Sequence, residues 1–264
     1  MMNLVSLASD TITGAIVSAP GPRKTAGNID DNFSRFNSRT WHKANGWTNG
    51  NPFNNGWRSD KVFYRNGKMH LRLDNRGCPG RCSRKPYVSG ELRSNKSYKY
   101  GLLRSRIKSA KASGTTTTLF FYTGKWGKPS HHEIDIEIFG KNPRKMQLNY
   151  YAFGAGKHEK IINLGFDSSK GFHTYSMRWA KKMLIWYVDG KSVHCVTGTP
   201  KTLPSKPAKI MMNLWPGTGV NAWLGAFQYL KPVTAQYDWL KYTPASGLRK
   251  PPAKCPVKGS RITP

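Results

Sequence analysis

The sequence predicts an all-β protein, a two-sheet antiparallel sandwich. Three observations lead there. Apolar residues recur at every second position through many short runs, the period of a strand. Turn signals separate these runs, drawn from 26 Gly and 17 Pro in 264 residues. No stretch of useful length keeps a helical period, and the 12% aromatic content suits pleated, half-buried surfaces.

From the N-terminus, Met1 to Ala19 is mildly apolar but lacks a basic leading region and is interrupted by Asp10, so it is a poor secretory signal. Pro20-Gly21-Pro22-Arg23-Lys24 reads as linker, and residues 1–29 as a disordered or processed leader. Phe33, Phe36, Trp41, Trp47, Phe53 and Trp57 are interleaved with Asn and Gly, which is loop chemistry. Phe33, Phe36 and Trp57 suit a satellite cluster; the others could form a platform for sugar rings. Val62 and Tyr64, an Asn66-Gly67 turn, then Met69, Leu71 and Leu73 make a hairpin.

Residues 87–94 form the next strand, with Glu91 and Arg93 on one face. The run from Tyr100 to Ser109 is a strand with a basic outer face (Arg104, Arg106, Lys108), and Thr115 to Tyr122 a β-branched central strand. Further strands fall at 144–153, 158–164, 173–180 and 183–196, with turns at Ala180-Lys181-Lys182 and Asp189-Gly190. Strands at 208–215 and 233–243 close the domain, 30–243. From Pro244 the chain is rich in Pro, Lys and Arg without periodicity, and 244–264 reads as a disordered basic tail.

The chemistry is concentrated in His131-His132-Glu133-Ile134-Asp135-Ile136-Glu137-Ile138-Phe139-Gly140. Strand periodicity puts Glu133, Asp135 and Glu137 on one face and Ile134, Ile136 and Ile138 on the other. Three neighbouring carboxylates repel one another, which a site can use to push their pKa values apart. The outer two have Cα atoms about 13 Å apart, and side chains leaning inward bring the carboxyls to roughly 5–6 Å, the separation of a retaining glycosidase. A solvated acidic strand face is the plainer alternative. It loses ground because the chain has only 13 acidic residues against 43 basic ones.

Glu-Ile-Asp-Ile-Glu followed by a bulky residue and Gly resembles the catalytic motif of glycoside hydrolase family 16, and the chain is similar to its bacterial lichenases, the endo-1,3-1,4-β-glucanases. Residues 47–54, 90–94, 147–151, 164–167, 210–215, 223–225 and 237–239 follow in family order, so the resemblance spans roughly 30–243. It implies a concanavalin A-like β-jelly roll with an open groove on the concave sheet, and hence endo-cleavage. It also implies Glu133 as nucleophile, Glu137 as general acid/base and Asp135 as assisting acid. Substrate contacts would come from Asn49, Glu91, Arg93, Phe120, Tyr122, Asn149, Tyr151, Asn213, Trp215 and Trp223. Arg93 would hold the nucleophile ionised. Gly67 and Asp238 match positions that help hold a structural calcium; catalysis itself needs no cofactor.

One departure is specific. The lichenases carry Trp two positions before the nucleophile; here His131 stands there and a Trp comes earlier, at Trp126. Adjacent histidines point to opposite strand faces and do not easily share a metal, so one of the pair is expected to tune a neighbouring carboxylate. A xyloglucan-type transglycosylase and a non-catalytic glucan-binding protein are the alternatives.

The net charge is +30. With no nucleic-acid motif beside it, this favours attraction to an acidic cell wall or other polyanionic surface. No apolar run spans a membrane, and a monomer acting on extracellular or cell-wall β-glucan is expected. Cys78 and Cys82 could close a small loop over Pro79-Gly80. Cys195, in an alternating strand, reads as a buried thiol, and Cys255 as a free thiol in the tail. The family disulfide is implied to be absent, since its positions fall on Asn55 and Ser89.

Overall fold

The computed structural model describes residues 27–78, 82 and 85–262; most of the expected leader lies outside them. A seven-stranded antiparallel sheet runs in the order β12 (Lys160–Asn163), β11 (Lys145–Tyr151), β10 (His132–Phe139), β9 (Thr115–Thr123), β16 (Lys209–Pro216), β7 (Glu91–Ser94) and β2 (Trp41–Lys43). A second sheet packs behind it. Its order is β15 (Lys191–Thr197), β14 (Met183–Val188), β13 (His173–Ala180), β8 (Gly101–Lys108), β17 (Val233–Pro244), β5 (Lys68–Leu73) and β4 (Val62–Arg65), with β1 (Ile29–Asp31) on β17. Short β3 (Asn55–Trp57) and β6 (Tyr87–Ser89) pair in parallel. This is the jelly-roll sandwich the sequence predicts.

Alternation builds the core. Ile134, Ile136 and Ile138 of β10 are buried with Leu119 and Phe121 of β9 and Met212 and Leu214 of β16. Opposite them stand Met177 and Trp179 of β13, Leu184 and Trp186 of β14, and Leu103 and Ile107 of β8. Each large aliphatic side chain so buried contributes about 1.5–3 kcal/mol. Trp186 also donates its indole N–H across the core to the Asp135 carbonyl, 3.1 Å away, tying the rear sheet to the acidic strand. A bulge between Tyr237 and Trp239 reverses the alternation of β17, so that Ala235 and Tyr237 face inward before it and Leu240 and Tyr242 after it.

The turns follow the expected chemistry. Asn66-Gly67 and Asp189-Gly190 hold positive φ at both positions (51° and 66°; 47° and 76°), the geometry of two-residue hairpin turns. Gly56 is required for space: a Cβ there would lie 2.5 Å from Cys78 Sγ and 2.6 Å from Cys82 Sγ. Cys78 and Cys82 are bonded to each other, and their disulfide packs against β3. Asn55 and Ser89 are buried without a cross-link. The Asn55 side chain donates to the Gly56 carbonyl, and the Ser89 hydroxyl to the Leu214 carbonyl.

Two expectations about the C-terminus are corrected. Cys195 and Cys255 are neither buried thiol nor free thiol but partners in a disulfide. Up to residue 262 the tail is ordered: backbone bonds link Gly259 to Ser192, Ser192 to Ser260 and Ile262 to Gly190. The reason is an apolar patch on the outer face of β14. Met183, Ile185 and Tyr187 need cover, and the returning chain brings Ile262 onto them. Composition alone does not show a segment that folds onto a patch made elsewhere.

Candidate active site

The strand registers lay out, in three rows, the face of the seven-stranded sheet that turns away from the second sheet. Glu133 stands between Tyr151 of β11 and Tyr122 of β9. Asp135 stands between Asn149 and Phe120, and that row continues through Met211 of β16 to Arg93 of β7 and His42 of β2. Glu137 stands between Gln147 and Thr118, and Thr118 bonds to Asn213, which pairs with Glu91. The three carboxylates therefore sit in mid-sheet on a common face, with strands on both sides.

Their environments differ. Asp135 is buried, and desolvation first, then the charges of Glu133 and Glu137, raise its pKa well above the carboxylate range. It holds a proton and shares a side-chain hydrogen bond with Glu133. Glu137 is pushed up to about 8, by burial first and then by Glu133, while a hydrogen bond from Gln147 Nε2 (3.1 Å) opposes the rise. Glu133 Oε2 lies 2.6 Å from Nε2 of His131, whose side chain is fully buried. The same field pushes the Tyr151 hydroxyl up to about 12, through burial and then Asp135 and Glu133. One carboxyl group keeps its proton near neutrality beside another that is furnished with donors. Such an asymmetric pair has the arrangement that a general acid and a nucleophile require.

The remaining expected residues fall in three groups. Phe120, Tyr122, Asn149 and Tyr151 flank the carboxylates as above. Asn213 Nδ2 donates to Glu91 Oε2 (3.1 Å), and buried Glu91 is pushed up to about 7 by desolvation against that bond and the Arg93 charge. Asn49 Oδ1 accepts from Trp57 Nε1 at 3.1 Å. Trp215 is 4% exposed, packed against Phe53 (ring centroids 4.2 Å) and Trp223 (5.8 Å), so its side chain is covered by neighbouring aromatics.

Two expectations are corrected. Arg93 does not reach Glu133: it lies three strand spacings from β10, roughly 14 Å. Its guanidinium stacks over Trp47 at 4.9 Å and its charge acts on Glu91. Asp238 Oδ2 accepts from Arg106 Nη1 at 2.6 Å while Oδ1 faces Lys68 Nζ at 3.7 Å. With both oxygens against cations, the pair Gly67 and Asp238 does not fit a calcium ion. Among the described residues no group of three or more His, Cys, Asp or Glu could hold a metal.

The two histidines divide as the strand period requires. His131 turns to Glu133. His132 faces the other way, accepts from the Ser205 backbone N–H at 3.3 Å, meets Phe153 edge-on, and is lowered to about 4 by burial, then Lys206. Gln147 and Thr118 were not among the residues expected to form the site. Gln147 shares the i, i+2 face of Asn149 and Tyr151, which would have been a usable signal. Thr118 lies in a run of four threonines that distinguishes none of them.

With this geometry in view, the family model described as glycosyl hydrolases family 16 matches residues 49–241. A β-glucanase of Paenibacillus polymyxa is 45% identical over 249 residues, 92% of this chain and 99% of that protein. One from Paenibacillus macerans is 46% identical over 212 residues, 80% of this chain and 86% of that protein. The structure of Bacillus licheniformis β-glucanase superposes with a TM-score of 0.76 at 42% identity, covering 83% of this chain and 99% of that one. A prokaryotic β-1,3-1,4-glucanase (lichenase) from a mouse hindgut metagenome gives 0.77 at 40%, covering 83% and 100%.

Proposed function

The chain belongs to glycosyl hydrolases family 16, and from that premise we propose that it is a retaining endo-β-glucanase acting on β-1,3-1,4-linked glucan. The observation behind this reading is the asymmetry of the strand that bears the acids: Glu137 protonated near neutrality, Glu133 hydrogen-bonded to His131 and Asp135. Glu133 attacks the anomeric carbon from one side of the ring. The glycosidic C–O bond breaks as Glu137 gives its proton to the leaving oxygen, and a glycosyl ester of Glu133 forms. Glu137, now ionised, takes a proton from water. The water attacks the same carbon, and Glu133 is released with the β configuration kept.

The surrounding residues set the balance. Asp135, its pKa raised, donates to Glu133 between the two, so a second negative charge is kept out of the row. Gln147 orients Glu137 from the neighbouring strand. Tyr122, Phe120, Asn149, Asn213 and Glu91 would meet the substrate along the open groove, which does not select chain ends. Digestion of purified mixed-linkage, 1,3-linked and 1,4-linked β-glucans, with linkage analysis of the products, tests the reading. It requires internal cleavage of the mixed-linkage polymer with retention of configuration, and absence of reducing-sugar release refutes it.

The +30 charge is read here as an anchor for acidic cell-wall polysaccharide. In support, Arg104, Arg106 and Lys108 of β8 lie on the sheet behind the groove, with Lys241 beside Arg104. A polymer held there would leave the cleft free. Retention on immobilised polygalacturonate at low salt and release by moderate salt is the expected behaviour; retention that ignores salt contradicts it.

A further inference from the structure

His131 is a titratable group beside the acidic row whose contacts reach beyond the carboxylates. It precedes β10 and shares the face of Glu133, two residues on. Its ring packs between Tyr122 (centroids 5.2 Å) and Tyr151 (4.7 Å) with no exposure of the side chain. Both ring nitrogens are engaged. The backbone N–H of Gly127 donates to Nδ1 at 3.4 Å, so in the neutral ring the proton is on Nε2, which donates to Glu133 Oε2 at 2.6 Å.

Gly127 belongs to the loop of residues 124–130 between β9 and β10, which opens at the Glu133 end of the cleft. Other bonds fold this loop down: Lys125 N–H donates to Ser130 Oγ at 3.0 Å, and the Trp126 backbone bonds the Tyr122 hydroxyl. The loop presents the Trp126 side chain to solvent with 71% exposure. An exposed Trp beside a sugar-binding cleft is a surface on which a pyranose ring can stack.

We propose that His131 is a positioning residue that couples the nucleophile to this loop, its Nε2–H fixing the Glu133 carboxylate while its Nδ1 anchors the segment carrying Trp126. Together with Asp135 it makes Glu133 the acceptor of two hydrogen bonds, one from each strand neighbour on its own face. A charged acceptor held by two donors is fixed in rotamer. The titratable groups around the ring are Glu133 on β10, Tyr122 on β9, Tyr151 on β11 and adjacent His132, with exposed Lys125 and Lys128 on the loop.

The inference rests on Glu133 being the nucleophile, and the test separates the two. In His131→Phe the ring volume stays and both nitrogens go. Its kcat/KM on mixed-linkage β-glucan should fall about 10- to 100-fold, the range for losing a hydrogen bond to a charged group. Most of the loss should fall on kcat and little on KM, and amide exchange across residues 124–130 should quicken. His131→Gln, with a donor and an acceptor, should recover most of the rate and slow the loop exchange again. If His131→Phe fails to fold, His131→Asn, too short to bridge both partners, is measured in its place. A folded variant with the parental kcat and loop exchange overturns the inference while Glu133→Ala stays inactive. Activity in Glu133→Ala overturns the catalytic assignment itself.

Discussion

Replacing Glu137 by Gln should give an inactive protein that is more stable than the parent in alkaline solution. The side chain is half-buried in the sheet face, with Glu133 two residues away on the same face and a hydrogen bond from Gln147. Its folded pKa is about 8 against a reference of 4.5, so between those values the native state binds a proton that the unfolded chain does not. Stability must then fall as pH rises through that window and level off above it. The full shift corresponds to roughly 5 kcal/mol at 1.36 kcal/mol per unit; partial contact with solvent reduces this to about 2–4 kcal/mol. Gln mimics the protonated form and escapes the loss. The two proteins should unfold at similar urea concentrations near pH 4.5 and diverge progressively to pH 9. Removing the charge also relieves Asp135, which adds to the difference in the same direction. Parallel stability curves across this range would refute the reasoning.

Other outcomes follow from the packing. Cys255→Ser breaks a cross-link closing 60 residues and frees the chain covering Met183, Ile185 and Tyr187. A loss of about 2–4 kcal/mol is expected, with early amide exchange in β14 and β15 and little change in kcat. Gly56→Ala drives a methyl group into the Cys78–Cys82 disulfide and should cost about 1–3 kcal/mol, read as a lowered melting temperature. Ile136→Ala empties the core directly beneath the acidic row, and urea unfolding should show a loss of about 2–5 kcal/mol.

Much of this architecture was legible because period-two alternation encodes it twice, once in each face of a strand. The 133–138 segment shows both faces at a glance: isoleucines into the core, carboxylates into the groove. The hairpins at Asn66-Gly67 and Asp189-Gly190 were legible for a local reason, since few residue pairs adopt that geometry. Arg93 was misplaced because sharing the groove with Glu133 says nothing about lateral distance, and strand order had set three spacings between them. The tail was misread because its order depends on an apolar patch contributed by β14 and on a cysteine 60 residues upstream. The role of His131 was half visible. Spacing put one histidine on the face of Glu133, but its second bond, to the Gly127 N–H, depends on a loop conformation that alternation does not describe.

Trapping the covalent intermediate probes the chemistry most directly. The protein would be treated with a 2-deoxy-2-fluoro β-glucosyl donor carrying an activated leaving group, digested, and its peptides sequenced by mass spectrometry. A glycosyl ester on Glu133, formed in step with loss of activity, is the expected result. A label on Asp135 or Glu137, or turnover of the donor with no ester at any residue, would contradict the assignment of a retaining nucleophile to that strand.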